Sequence, residues 1–292
     1  MLNITKNDLT KIKEPLRYTG GEYGEVIKNE SEIQIRVALC YPNLYDIGMN
    51  NYTTMYLYSL LNSKKGIYAE RFFMPDLDIE KLLINNNQNL FSLETKKEMN
   101  CFDFAIFVLH DEIEYINVAC MLKLSKINNK DSKRPIIIGM IDNFDFKHYN
   151  LDNIFDIFVY GNKSVIYNDI LFRYGVYKSQ KLSISDYLYS INSIENVVVP
   201  CIDSNKKIEI ENKSQRKIQD EKIFPMIPVS NISSINQRLN IKYNSNILKL
   251  YQDIIKLIKN TGITNLNFID VTNDYTSMLM LIKNLKKSYP FL

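Results

Sequence analysis

Five short apolar runs, separated by stretches with helical spacing, leave this chain few folds to adopt. The runs are 33–41 (IQIRVALCY), 67–75 (IYAERFFMP), 102–109 (FDFAIFVL), 135–140 (PIIIGM) and 155–161 (FDIFVYG). Each is near-continuous in apolar residues rather than alternating, the pattern of a strand buried on both faces. Between them lie helical patterns. Met55, Leu57, Leu60 and Leu61 form one apolar face, and 76–83 reads as a short helix capped by Asp76. Residues 112–127 read as an amphipathic helix turning Ile113, Ile116, Ala119, Cys120 and Leu124 to the core, and 164–174 as another helix. Strands alternating with helices imply right-handed crossovers and a parallel sheet covered on both faces. The expected class is α/β: a doubly wound, Rossmann-like parallel sheet.

After this domain the pattern changes. Residues 196–218 read as two strands about the turn Asp203–Ser204–Asn205, a hairpin linker. Further on, Ser245 is placed to cap a helix with Leu248, Tyr251, Ile254, Ile255 and Ile258 on one face, ended by Gly262. Residues 265–270 read as a strand, and Asp274 as the cap of a last helix over 275–287. The expected division is an N-terminal arm (1–32), a Rossmann-like domain (33–190), a hairpin linker (191–225) and a short βα remnant (226–292).

Composition narrows the setting. Hydrophobic residues make up 46% of 292 and charged residues 24%, enough for a substantial core and too ordinary for disorder. The start MLNITKNDLTKIKEP is charged where a signal peptide needs an apolar stretch, and no run reaches the ~20 apolar residues that span a bilayer. A cytoplasmic protein without membrane segments is expected. Lys and Arg outnumber Asp and Glu from Arg238 onward, but without interleaved aromatics this reads as solvated helix faces rather than a nucleic-acid surface. Cys40, Cys101, Cys120 and Cys201 have no close spacing, so neither a disulfide framework nor a metal site is expected.

In an open parallel sheet, ligands bind beyond the carboxyl ends of the strands. The rim residues singled out here are Asn43, Tyr45, Asp46, Gly48, His110, Asp111, Glu112, Gly139 and Gly161. A histidine beside two carboxylates suits acid–base chemistry, although acids are equally at home at the positive start of a helix. No Walker loop and no GxGxxG after the first strand is present to hold a nucleotide phosphate. Neither histidine has Asp two residues before it and Gly three after it, which argues against a histidine lower ligand to cobalamin.

The motifs EPLRYTGGEYGEV, IRVALCYPNLYDIGMNNYTTMYLYSLLN, IYAERFFMPDLDIEKLL, NLFSLET and FDFAIFVLHDEIEYINVACMLKL follow one another in order. Over residues 14–175 they resemble radical S-adenosylmethionine proteins that carry an N-terminal cobalamin-binding-like domain. The resemblance implies a cobalamin-binding-like sheet followed by a (β/α) barrel opened by a Cys-x3-Cys-x2-Cys loop for an iron–sulfur cluster. Three departures stand out. The family's Gly-Gly-Pro turn is replaced by Gly139–Met140–Ile141, and its Gly-x-Gly-Glu-Glu turn by Gly161–Asn162–Lys163–Ser164. The interval matching its cluster loop, PMIPVSNISSINQRLN, has no cysteine.

The resemblance with its departures implies a degenerate, non-catalytic relative acting as a binding or partner protein. No iron–sulfur cluster is expected, and cobalamin is disfavoured. The runner-up is a cobalamin-like cofactor-binding subunit serving a separate catalytic protein. A weaker alternative is a stand-alone hydrolase or transferase using Asp46, His110 and Asp111. A barrel remnant leaves open edges, so a protein partner or a second copy is expected to bind through residues 226–292.

Overall fold

A strand that is apolar at every position is stable only with cover on both faces, and the structure provides it. The computed structural model describes residues 8, 10–22, 24–110, 113–128, 134–141, 154–161, 165–202, 239–242, 246–261, 264–269 and 275–290. The main sheet comprises β1 (Ile35–Tyr41), β2 (Ile67–Phe73), β3 (Phe104–Leu109), β4 (Ile136–Ile141), β5 (Ile157–Tyr160) and β6 (Val197–Val198). Its order is β2-β1-β3-β4-β5-β6; the first five strands are parallel and β6 is antiparallel to β5. The parallel part has the doubly wound order 2-1-3-4-5.

Side chains alternate between two cores as strand geometry requires. Val37, Leu39, Ile106, Val108 and Ile138 enter one core, and Ala38, Cys40, Ala105, Phe107 and Ile137 the other. The helices of this domain are α1 (Tyr45–Gly48), α2 (Tyr52–Asn62), α3 (Leu77–Asn85), α4 (Glu114–Leu124), α5 (Phe172–Gln180) and α6 (Ile184–Asn192). A π-helical turn, Ile166–Leu171, leads into α5. Asn51 caps α2 by accepting the Thr54 N–H, and Asp76 caps α3 by accepting that of Leu77.

Several sequence expectations are corrected. Helix α4 buries Glu114, Val118, Met121, Leu122 and Leu124, while Ile113 and Ile116 are 71% and 68% exposed. Two polar anchors rotate the helix away from the expected face: Glu114 accepts the His110 N–H, and Asn117 donates to Pro42 O. Of the hairpin read over 196–218, the described part is β6, an edge strand of the main sheet; its turn and second strand lie outside the described residues. Helix α6 was not anticipated, although Ser183 and Asp186 form a capping box legible as Ser-x-x-Asp.

The C-terminal region is built from β7 (Leu239–Lys242), α7 (Ile247–Thr261), β8 (Leu266–Ile269) and α8 (Tyr275–Ser288). Strands β7 and β8 pair in parallel, so the segment is a βαβα unit that begins one strand earlier than the sequence suggested. Helix α7 buries Leu250, Ile254, Leu257 and Ile258 and leaves Leu248 75% exposed. The capping roles read for Ser245, Gly262 and Asp274 fall outside the described residues. Among the described residues no helix is long and apolar enough to cross a membrane.

Gly139 lies inside β4, between Phe107 and Phe158 in register, and not on the rim where the sequence reading placed it. A Cβ there would lie 2.8 Å from Phe158 Cδ1 and 3.3 Å from Phe155 Cδ1. Gly139→Ala is therefore expected to lower the unfolding free energy by about 1–3 kcal/mol, the usual cost of overpacking. Urea denaturation checks this; wild-type stability would mean that the rings move aside freely.

Candidate functional site

The loop after β1 is tied down from three sides. Asn43 O accepts the Met74 N–H, linking it to the end of β2. Asn43 Oδ1 accepts the Leu44 N–H, which turns the chain into α1. Asp46 on α1 is held by Arg17, whose Nη1 also donates to Asp76 Oδ2 at 3.0 Å. Arg17 thus pins the arm to the first turns of two helices. The Tyr18 hydroxyl accepts the Asp76 N–H, and burial pushes its pKa up to about 12.

The other predicted rim residues divide between rim and core. Tyr45 is buried, and its hydroxyl donates to Glu22 Oε1 at 2.7 Å. A Cβ on Gly48 would fall 2.4 Å from Phe73 Cε1, so this glycine admits a ring of the protein itself. His110 ends β3 at the rim, with its Nε2 2.9 Å from Asn51 Nδ2. Because Asn51 Oδ1 is committed to Thr54, the amide turns its NH2 to the imidazole, leaving Nε2 to accept. Gly161 ends β5 with φ +65°, a left-handed turn suited to glycine, and its N–H donates to Ile141 O. Asp111 and Glu112 lie outside the described residues. The structure brings His110 to Asn51 and Asp46 to Arg17; these are positioning contacts.

The densest charge cluster was missed by the sequence reading, and it centres on Arg71 in β2. Arg71 is 0% exposed. Its Nη2 lies 2.9 Å from Glu22 Oε2, and its Nε lies 2.6 Å from Glu94 Oε1. The ring of Tyr58 faces the guanidinium, 5.0 Å from its centroid. Burial alone would weaken the charge on Arg71, but Glu94 and Glu22 outweigh it and raise its pKa. Burial likewise opposes ionisation of Glu22, yet Arg71 brings its pKa below the usual value. Next to this cluster, Glu70 takes Arg36 Nη1 at 2.9 Å and Ser92 Oγ at 2.8 Å. A cavity of about 20 Å³ lies between Arg17, Tyr18, Arg71, Phe73 and Ile79. It is water-sized and far below a cofactor's volume.

The cysteines are dispersed: Cys40 in β1, Cys101 in the turn Met99–Cys101, Cys120 on α4 and Cys201 beyond β6. They do not form the three-thiolate set that a [4Fe–4S] cluster requires. Phe73 and Phe158 fill the space beside Gly48 and Gly139.

The family model described as "Radical SAM proteins, N-terminal" matches residues 53–200. No curated protein matches, and no solved structure matches. The matched span covers α2 through β6, that is, most of the main sheet.

Arg71→Met would leave Glu22 and Glu94 buried without their cation. The unfolding free energy at neutral pH is expected to fall by about 3–5 kcal/mol, the cost of breaking a buried ion pair on one side. The deficit should narrow in mild acid, where the orphaned carboxylates take up protons. Urea denaturation across pH checks both; a loss near zero would show that the cluster is not structural.

Proposed function

This chain belongs to the radical S-adenosylmethionine family by its N-terminal domain, and on that premise we propose that it is a degenerate, non-catalytic member that works as a binding or partner protein. The observation carrying the reading is that residues 202–292 contain no cysteine. Neither the interval 225–240 nor the connection 243–246 between β7 and α7 supplies a thiolate. The four cysteines present occupy separate elements and do not replace the missing motif. Without a cluster there is no electron donor for reductive cleavage of S-adenosylmethionine.

The N-terminal contacts support the same reading. Residues within the resemblance are engaged in holding the fold: Arg17 with Asp46 and Asp76, Tyr45 with Glu22, and Glu22 with Arg71. Asp46 and His110, put forward for a hydrolase or transferase, are held by Arg17 and Asn51. A partner role through residues 226–292 is supported by the apolar exterior of α8, where Leu279 and Met280 are more than half exposed.

The test uses the full chain. Anaerobic reconstitution with iron and sulfide is expected to leave no stoichiometric cluster in the absorbance spectrum, and sedimentation to show association. Calorimetry with cobalamin is expected to show weak binding or none. A cluster band abolished by Cys201→Ala would overturn the reading. Submicromolar cobalamin affinity, roughly −8 kcal/mol or stronger, would replace it with the cofactor-subunit reading.

A further inference from the structure

Positive charge gathers on one helix of the C-terminal unit. The whole chain carries a net charge of only +3, yet the described residues of the βαβα unit hold seven lysines against one carboxylate, Asp253. Helix α8 has three of these lysines and neither Asp nor Glu. Lys283, Lys286 and Lys287 are exposed, and among the described residues none of them meets a carboxylate. The helix dipole favours the two in the last turn, Lys286 and Lys287. It does not account for Lys283, which stands four residues before Lys287, a like-charge spacing that weakens a helix.

The lysines share their surface with apolar groups. Leu281 and Leu285 are buried on the inner side of α8. At about 3.6 residues per turn, Lys286, Leu279, Lys283, Lys287 and Met280 follow one another around the outer side. Leu279 and Met280 are both more than half exposed. Beside this surface lies a groove of about 330 Å³, lined by Leu266 and Phe268 of β8, Ile282 and Leu285 of α8, and Lys286. The Tyr251 hydroxyl and Ser288 Oγ, 2.6 Å apart, tie the end of α8 to α7 and hold the surface in place.

We propose that the outer side of α8 and the adjoining groove dock an acidic segment of a partner protein, its carboxylates on Lys283, Lys286 and Lys287 and a large apolar side chain in the groove. The inference rests on the reading of residues 226–292 as a partner surface and names the chemistry of that partner. Charge complementarity selects an anionic occupant, because a second cation here would add repulsion that nothing on α8 offsets. Leu279 and Met280 alternate with lysines around the helix, so α8 has no continuous apolar stripe to lay into a bilayer. The seven cations are all lysines, without the arginine fork that reads phosphates and base edges bidentately. An apolar groove bordered by charge matches the anatomy of a protein interface, an apolar centre within a polar rim.

The probe is a library of random twelve-residue peptides displayed on phage and selected on the immobilised full chain. The selected peptides are expected to be rich in Asp and Glu around one large apolar residue. A synthetic, fluorescein-labelled copy of one of them, titrated by anisotropy, is expected to lose at least about tenfold in affinity when Lys283, Lys286 and Lys287 are all changed to Glu. Lys, Gln and Glu have similar helix propensities, so the helix is retained, and the triple change to Gln should give a smaller loss in the same direction. Thr264→Trp, at an exposed position that lines the groove, should also weaken binding. Selected peptides that are neutral or basic, or that bind the lysine variants as well as the wild type, would overturn the inference and leave the partner reading standing. So would lysine-dependent binding of phosphatidylserine vesicles or of a DNA duplex with no acidic peptide selected. A stoichiometric cluster in the reconstituted chain would instead remove the partner reading itself, whichever peptides bind.

Discussion

An edge strand needs partners for the backbone groups on its open side, and in this protein β2 finds them in side chains. Asn62 pairs with both backbone groups of Ala69, at 2.9 and 3.0 Å. The Arg71 N–H donates to Glu94 Oε2 at 2.7 Å, and Arg71 O accepts the Leu93 N–H at the same distance. The carboxylate that closes the edge at Glu94 also binds the Arg71 guanidinium, and Glu22 brings in the arm. Without this set, β2 would present a bare parallel edge and a buried unpaired charge together. The arm is held to β2 through Glu22, while Arg17 pins the loop after β1 and the first turn of α3.

This explains why residues that resemble a cofactor-binding domain hold a scaffold together here. The glycines at 48 and 139 read as space for a ligand, yet Phe73 and Phe158 take that space. Tyr45 sits in the rim motif but points to Glu22. Of the three glycines read as rim positions, 48, 139 and 161, Gly161 takes the left-handed φ expected of a rim turn. Both faces of the sheet are filled with apolar side chains from its own strands and helices.

What was legible in the sequence follows the same physics. The parallel strands declared themselves because burial on both faces makes most of their positions apolar. Helix α4 did not: it carries apolar residues around most of its circumference, and Glu114 and Asn117 decide the face through contacts to distant backbone. Strand β7 has only four residues and no turn signal that marks it. Arg71 was the hardest to see. A charge inside a strand reads as an exposed position, and its partners Glu22 and Glu94 lie 49 and 23 residues away in sequence.

Arg71 and the surrounding carboxylates act as one unit. A double-mutant cycle between Arg71→Met and Glu94→Gln measures that directly, since glutamine still accepts the Arg71 N–H while carrying no charge. If the unit is real, the second change relieves part of the damage done by the first, and the unfolding free energies depart from additivity by about 1–3 kcal/mol. Additivity within about 0.5 kcal/mol would contradict it.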